Sequence, residues 1–320
     1  MSGETDRPRI LLATDFSKWA LRAEDYACCL AATWRATLTV LTVLEFPPGM
    51  NPEYPVNQVY LGELMKAGAK QLAELKTRAS ARGIALHTRI ATGIPCEEVL
   101  AAVKAEDSDL VIVGTKGKSG LAHVLLGSTA ERVIRTAPCP VLAVRMDRDE
   151  VSSSVTAEPC GGVRLNRILV PVDFSDCSLE AVEYAALMAQ RHSASVTLLH
   201  VLEPVSYGLD FTLLQTGKRE ELRERLTARL GDMTRALAEA KIPADSLVRG
   251  GTPFESILDS AATMPADLIV MGTHGRRGLS HALSGSVAEA VLRQSRCPVL
   301  TVRRPKYGPG HRRVLSGMSA

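Results

Sequence analysis

The sequence predicts an α/β chain of two tandem open-sheet domains. Each has a five-stranded parallel sheet in the order 3-2-1-4-5, flanked by helices. Three observations predict this. Short apolar runs alternate with helical patterns from Ile10 to Val144, and such alternation gives parallel strands joined by right-handed crossovers. The series then restarts: Asp15 returns as Asp173, Gly117 as Gly275 and Cys139 as Cys297, and 173 − 15, 275 − 117 and 297 − 139 all equal 158. Finally, each copy carries a glycine-rich loop between an apolar strand and a helix. Two residues separate its first two glycines, and nine more lead to a Gly-Ser pair.

The elements follow in order. Ile10 to Thr14 is apolar and forms the first strand. A helix from about Trp19 to Ala32 follows, with Ala20, Ala23, Ala27, Leu30 and Ala31 on one face and Ser17 as its N-cap. Thr37 to Leu44 is rich in Thr, Val and Leu and reads as a strand. Phe46 to Pro55 is proline-rich and reads as loop. A long helix covers roughly Tyr60 to Arg82, with Leu61, Leu64, Gly68, Leu72, Leu75 and Ala79 in phase, and Gly83 ends it. Ala85 to Ile90 is a third strand, and Pro95 opens a short helix to about Ala105. Leu110 to Val113 is the fourth strand, Ser128 to Thr136 a helix and Val141 to Val144 the fifth strand. Strands one, four and five lack alternation, as expected where both faces of a sheet are covered.

The domains are expected at 1–146 and 164–304. An acidic, serine- and glycine-containing linker at 147–163 joins them, and the tail at 305–320 is expected to be disordered. Hydrophobic residues make up 46% and aromatics 4%, so Ala, Val, Leu and Ile must build the cores. A net charge of +3 argues against a nucleic-acid binder. No apolar run approaches the roughly 20 residues of a membrane span, and the N-terminus has no signal-peptide segment. Seven cysteines without a CxxC pair suggest neither a disulfide framework nor a zinc site, and a reducing cytoplasm fits.

In an open parallel sheet, ligands bind outside the carboxyl ends of the strands where the strand order reverses. Here that point lies between strands one and four, so Asp15 and Gly114 come to one crevice. A carboxylate there accepts from an adenine amino group or a ribose hydroxyl. Glycine backbone and a helix N-terminus suit phosphate. The competing readings are structural. Asp15 and Asp173 could serve only to cap helices. Ser128 with Glu131, and Ser286 with Glu289, have the form of capping boxes. Lys118-Ser119 resembles the end of a P-loop, but the required earlier glycine is Ile112. His274 and His281 read as surface residues, and Cys139 and Cys297 as packing residues.

The strand-one Asp, the glycine spacing and the closing Cys-Pro-Val-Leu strand resemble those of the universal stress protein family in both halves. The spacing is the specific part, and within that family it accompanies ATP binding. The resemblance implies that Asp15 and Val43, and Asp173 and Val201, take the adenine end. It implies that Gly114, Gly117, Gly127, Ser128 and Thr129 take ribose and phosphates, as do Gly272, Gly275, Gly285, Ser286 and Val287. The expected ligand is ATP, with or without magnesium. The expected assembly is an intramolecular pseudo-dimer through the fifth strands, with a homodimer also open, and neither nucleic acid nor membrane as partner. The expected role is a cytoplasmic stress-response regulator. A slow ATPase or nucleotidyl transferase, and a scaffold with empty sites, are the alternatives.

Overall fold

In the computed structural model, residues 7–45, 54–115, 126–145, 163–203, 216–273, 286–303 and 314–315 are described. The chain divides into two compact units, Met1–Val163 and Arg164–Ala320.

In the first unit the elements are β1 (Arg9–Ala13), α1 (Leu21–Trp34), β2 (Thr37–Leu44), α2 (Pro55–Ser80), β3 (Leu86–Thr92), α3 (Pro95–Ala105), β4 (Leu110–Gly114), α4 (Ser128–Thr136) and β5 (Val141–Val144). All strand pairs are parallel, in the order β3-β2-β1-β4-β5. Ile10, Leu11, Leu12, Val111, Ile112 and Leu142 are almost wholly buried, which is why β1, β4 and β5 read as continuous apolar runs. α1 packs over β1 and β4 through Ala23, Ala27 and Leu30, while α3 packs with α4. Small alanines on that α1 face let the helix lie close to the sheet.

The second unit repeats the series as β6 (Arg167–Pro171), α5 (Asp176–His192), β7 (Ser195–Leu202), α6 (Thr216–Glu239), β8 (Ala244–Gly250), α7 (Pro253–Thr263), β9 (Leu268–Gly272), α8 (Ser286–Gln294) and β10 (Val299–Val302). Its parallel order is β8-β7-β6-β9-β10. Both sheets therefore have the predicted order 3-2-1-4-5.

Four local expectations change. The first helix begins two residues later than expected, at Leu21, and its N-cap is Ala20; Ser17 does not cap it. The Ser17 carbonyl instead accepts the Ala20 N–H at 2.9 Å, closing an extra turn before the helix. Pro55 is not loop but the first residue of α2, where a missing N–H costs nothing and a fixed φ is already helical. The helix thus starts five residues before Tyr60. At 26 residues it runs about 39 Å, longer than the eight-residue β2 at about 26 Å. That overhang leaves Leu61 and Leu64 only half-buried, while Leu72, Leu75 and Ala79 pack fully. The capping box expected at Ser128 shifts by one residue, and the start of α8, where the Ser286 box is expected, adjoins residues outside those described. In α4 the N-cap is Gly127, not Ser128, and its carbonyl accepts the Glu131 N–H at 2.9 Å.

Within the stretch expected to be disordered, Val314 and Leu315 lie against α5. The Glu183 carboxylate accepts the Val314 N–H at 3.1 Å and the Leu315 N–H at 2.6 Å, and Leu315 is buried. The rest of 305–320 lies outside the described residues, as do nearly all of the linker, His274 and His281.

Candidate functional site

The register decides what meets at the carboxyl edge of the first sheet. Ala13 pairs with Val113, so the chain leaving β1 at Thr14 and Asp15 runs beside Gly114 and Thr115. Val43, near the end of β2, is half-buried on the other side of β1. Gly114 pairs with Val144, and the Thr115 N–H donates to the Val144 carbonyl at 2.9 Å. The far end of the glycine loop returns to the same place, because the Gly127 N–H donates to the Thr115 carbonyl at 2.8 Å. Ser128 and Thr129 are the first two residues of α4, so that helix's N-terminus stands at the end of β4. Gly127 has φ −70° and ψ 147°, ordinary extended values, and among the described residues a Cβ built there would meet the Thr115 carbonyl at 3.5 Å, an ordinary contact. Gly117 lies outside the described residues.

Asp15 sits in a tight turn. Its Oδ1 accepts the Ser17 N–H at 2.9 Å. The next residue, Phe16, has φ +55°, a left-handed conformation that a bulky side chain adopts at a cost of roughly 1–2 kcal/mol. The Thr14 hydroxyl holds this turn: its oxygen accepts the Phe16 N–H at 3.0 Å while it donates to Glu24 Oε1 at 3.0 Å. Glu24 lies on the buried face of α1, and Arg78 of α2 approaches its other oxygen at 3.4 Å. Burial pushes the Glu24 carboxyl up to about 7, against the opposing pull of Thr14 and Arg78. Ser17 Oγ is buried without a hydrogen-bond partner among the described residues. Such an atom calls for water or a ligand.

The second unit builds the same turn differently. Asp173 Oδ1 accepts from both the Ser175 N–H (3.0 Å) and the Ser175 hydroxyl (2.6 Å), and Ser175 is the N-cap of α5. Phe174 again has a left-handed φ, +62°, but here its ring is fully buried. It lies 5.1 Å from the His200 ring, with the Arg229 guanidinium 4.3 Å above it. His200 Nδ1 is 2.6 Å from the Val172 carbonyl, next to Val201 on β7. Gly272 ends β9, and a Cβ there would meet Cys177 Cβ at 2.8 Å, Cys177 C at 2.9 Å and Ser178 N at 3.0 Å. Close packing against α5 therefore gives Gly272 a reason of its own to lack a side chain. Ser286 and Val287 open α8; Gly275 and Gly285 lie outside the described residues.

Sequence reasoning missed Thr14, Glu24, Arg78, His200 and Arg229. Glu24 carried a signal: it falls four residues after Ala20, inside an apolar helical face where a carboxylate has no business unless partnered. Among the described residues no cluster of His, Cys, Asp and Glu could hold a metal, and no helix is long and apolar enough to cross a membrane.

The sequence profile described as the universal stress protein family matches residues 7–145 and again 164–303. A universal stress protein of Mycobacterium tuberculosis is 30% identical over 297 residues, covering 88% of this chain and 93% of its own length. One from Methanocaldococcus jannaschii is 33% identical over 150 residues, 47% of this chain and 88% of its own. A solved universal stress protein from Archaeoglobus fulgidus shares the fold with a TM-score of 0.69 at 24% identity, over 92% of this chain and 98% of that one. With this profile matched twice along it, the chain belongs to the universal stress protein family.

Proposed function

We propose that each half binds one adenine nucleotide, ATP with magnesium on its phosphates, and that the chain acts as a cytoplasmic regulator in the stress response. The observation that carries this reading is one juxtaposition in the first half. Asp15, Gly114 and the N-terminus of α4 come together where the strand order reverses. A carboxylate suits the adenine or ribose end, and the N–H groups opening α4 suit phosphate. In the second half Asp173 and Gly272 take the matching positions at the carboxyl ends of β6 and β9. Val43 and Val201 complete the adenine ends. Gly117, Gly127, Ser128 and Thr129 in the first half, and Gly275, Gly285, Ser286 and Val287 in the second, complete the phosphate ends.

Calorimetric titration of nucleotide-stripped protein with ATP and magnesium tests it. Two sites are expected. Gly127→Ala suits the backbone, since its φ is negative and, among the described residues, the added Cβ makes an ordinary 3.5 Å contact with the Thr115 carbonyl. It puts a methyl group beside the α4 N–H groups, and is expected to weaken the first site about tenfold, 1.4 kcal/mol, with the second unchanged. Unaltered protein that takes up no nucleotide would overturn the proposal, as would full affinity at both sites in Gly127→Ala. The self-association that the resemblance implies rests on the sequence alone, and light scattering reads whether one chain or two are present.

A further inference from the structure

Both halves hold a phenylalanine in a left-handed conformation directly after the site aspartate, and they hold it by different means. In the second half packing does it, with Phe174 fully buried beside His200 and Arg229. In the first half Phe16 is only half-buried, and a polar relay does it: Arg78, Glu24, Thr14, then the Phe16 N–H. Adding the repeat offset, 14 + 158, 24 + 158 and 78 + 158 give Val172, Val182 and Ala236, none of which has a side chain that donates or accepts.

We propose that Glu24 is the positioning residue of the first site: ionised, it orients the Thr14 hydroxyl, which fixes the Phe16 N–H and so the turn that presents Asp15, a proton-sensitive lock that the second half lacks. A hydrogen bond to a carboxylate is about twice as strong as one to a neutral carboxyl, so protonation loosens Thr14 and removes the partner of Arg78. The groups facing Glu24 are Arg78 of α2, Asp25 and Cys28 of α1 and Asp15 of the turn, with Arg82, just past the end of α2, beyond Cys28. Burial among them brings the carboxyl to about 7, inside the physiological range. The consequence for ligand affinity rests on the nucleotide reading above; the lock itself does not.

The chain has five phenylalanines, so labelling the full-length protein with 15N-phenylalanine gives at most five amide signals. Phe16 is assigned from the signal lost in Phe16→Leu. Its amide is expected to shift between pH 6 and 8 with a midpoint at about 7. That shift should vanish in Glu24→Gln. It should also vanish in Thr14→Val, where the carboxyl still titrates but the relay is cut. Neither variant should alter the Phe174 amide. The pair Thr14→Val with Glu24→Val copies what the second half carries, and gives a folded protein without the lock should a single variant fail. Adenosine, which does not titrate in this range, is then added. Followed at the Phe16 amide, it should bind about threefold tighter at pH 8 than at pH 6, the factor for half a pKa unit of coupling, and equally at both in Glu24→Gln. A Phe16 amide that stays flat, or titrates unchanged in Glu24→Gln or Thr14→Val, overturns the proposal. Adenosine that fails to bind while Phe16 titrates as described overturns the nucleotide reading and leaves the lock standing.

Discussion

Gly272→Ala isolates packing from ligand binding at a position where the sequence suggests only the latter. The added Cβ would stand 2.8 Å from Cys177 Cβ, 2.9 Å from Cys177 C and 3.0 Å from Ser178 N. Two of these three atoms are backbone in the first turn of α5, so no side-chain rotation relieves them. To reach even a tight contact of 3.4 Å, β9 or α5 must move by about 3.4 − 2.8 = 0.6 Å. α5 cannot yield freely, because Leu179, Val182, Ala185 and Ala186 are buried beneath it. Overpacking of this kind costs about 2 kcal/mol. Hydrogen exchange read by mass spectrometry follows each unit separately. In the absence of nucleotide, amides of α5 and β9 should exchange about thirtyfold faster, the equivalent of that energy. Fluorescence gives a control, since both tryptophans, Trp19 and Trp34, lie in the first unit. Cys177→Gly added to Gly272→Ala should recover only part of the loss, because the backbone contacts remain. Exchange in Gly272→Ala within about twofold of the unaltered protein would show that the glycine is not required for packing.

Glu24 also predicts a pH dependence of stability. Its carboxyl rises from 4.5 to about 7 on folding, chiefly through burial, so the folded chain holds that proton more tightly than the unfolded one. Stability from this group is therefore greatest in acid and falls as pH rises through the window from 4.5 to 7. Urea unfolding should show the unaltered protein losing roughly 2–3 kcal/mol relative to Glu24→Gln between pH 5 and 8; a difference that does not change with pH would refute it. The matched position offers the converse test. Val182 is fully buried, and its neighbours in the repeat, Val172 and Ala236, cannot donate, so Val182→Glu should cost roughly 3–5 kcal/mol at pH 8 in the same assay and less at pH 5. A loss under about 1 kcal/mol at pH 8 would mean that the site finds a partner for the charge.

Much of the architecture is fixed by local pattern alone. Apolar runs without alternation mark β1, β4 and β5, Pro95 marks the start of α3, and the constant offset of 158 residues reveals the duplication. β2, α3, α4 and β5 were legible to the residue, because composition changes sharply at their ends. The crevice was legible too, since chirality and strand order bring Asp15 to Gly114 across about a hundred residues of sequence. What the sequence could not show were contacts made by one side chain across elements. Nothing local says that Thr14 on one segment, Glu24 on a helix and Arg78 some fifty residues later share a hydrogen-bonded relay. Nor does a glycine at the end of β9 say whether a phosphate or α5 needs the space. The start of α1 differs from the expectation because a backbone hydrogen bond from the Ala20 N–H to the Ser17 carbonyl closes an extra turn there, and no side chain of the N-cap residue marks the boundary. Periodicity records which face of an element is buried, and the folded structure alone decides which atoms that face meets. That is why two copies of one pattern can hold the same strained turn, one by a titratable carboxylate and the other by a packed aromatic ring.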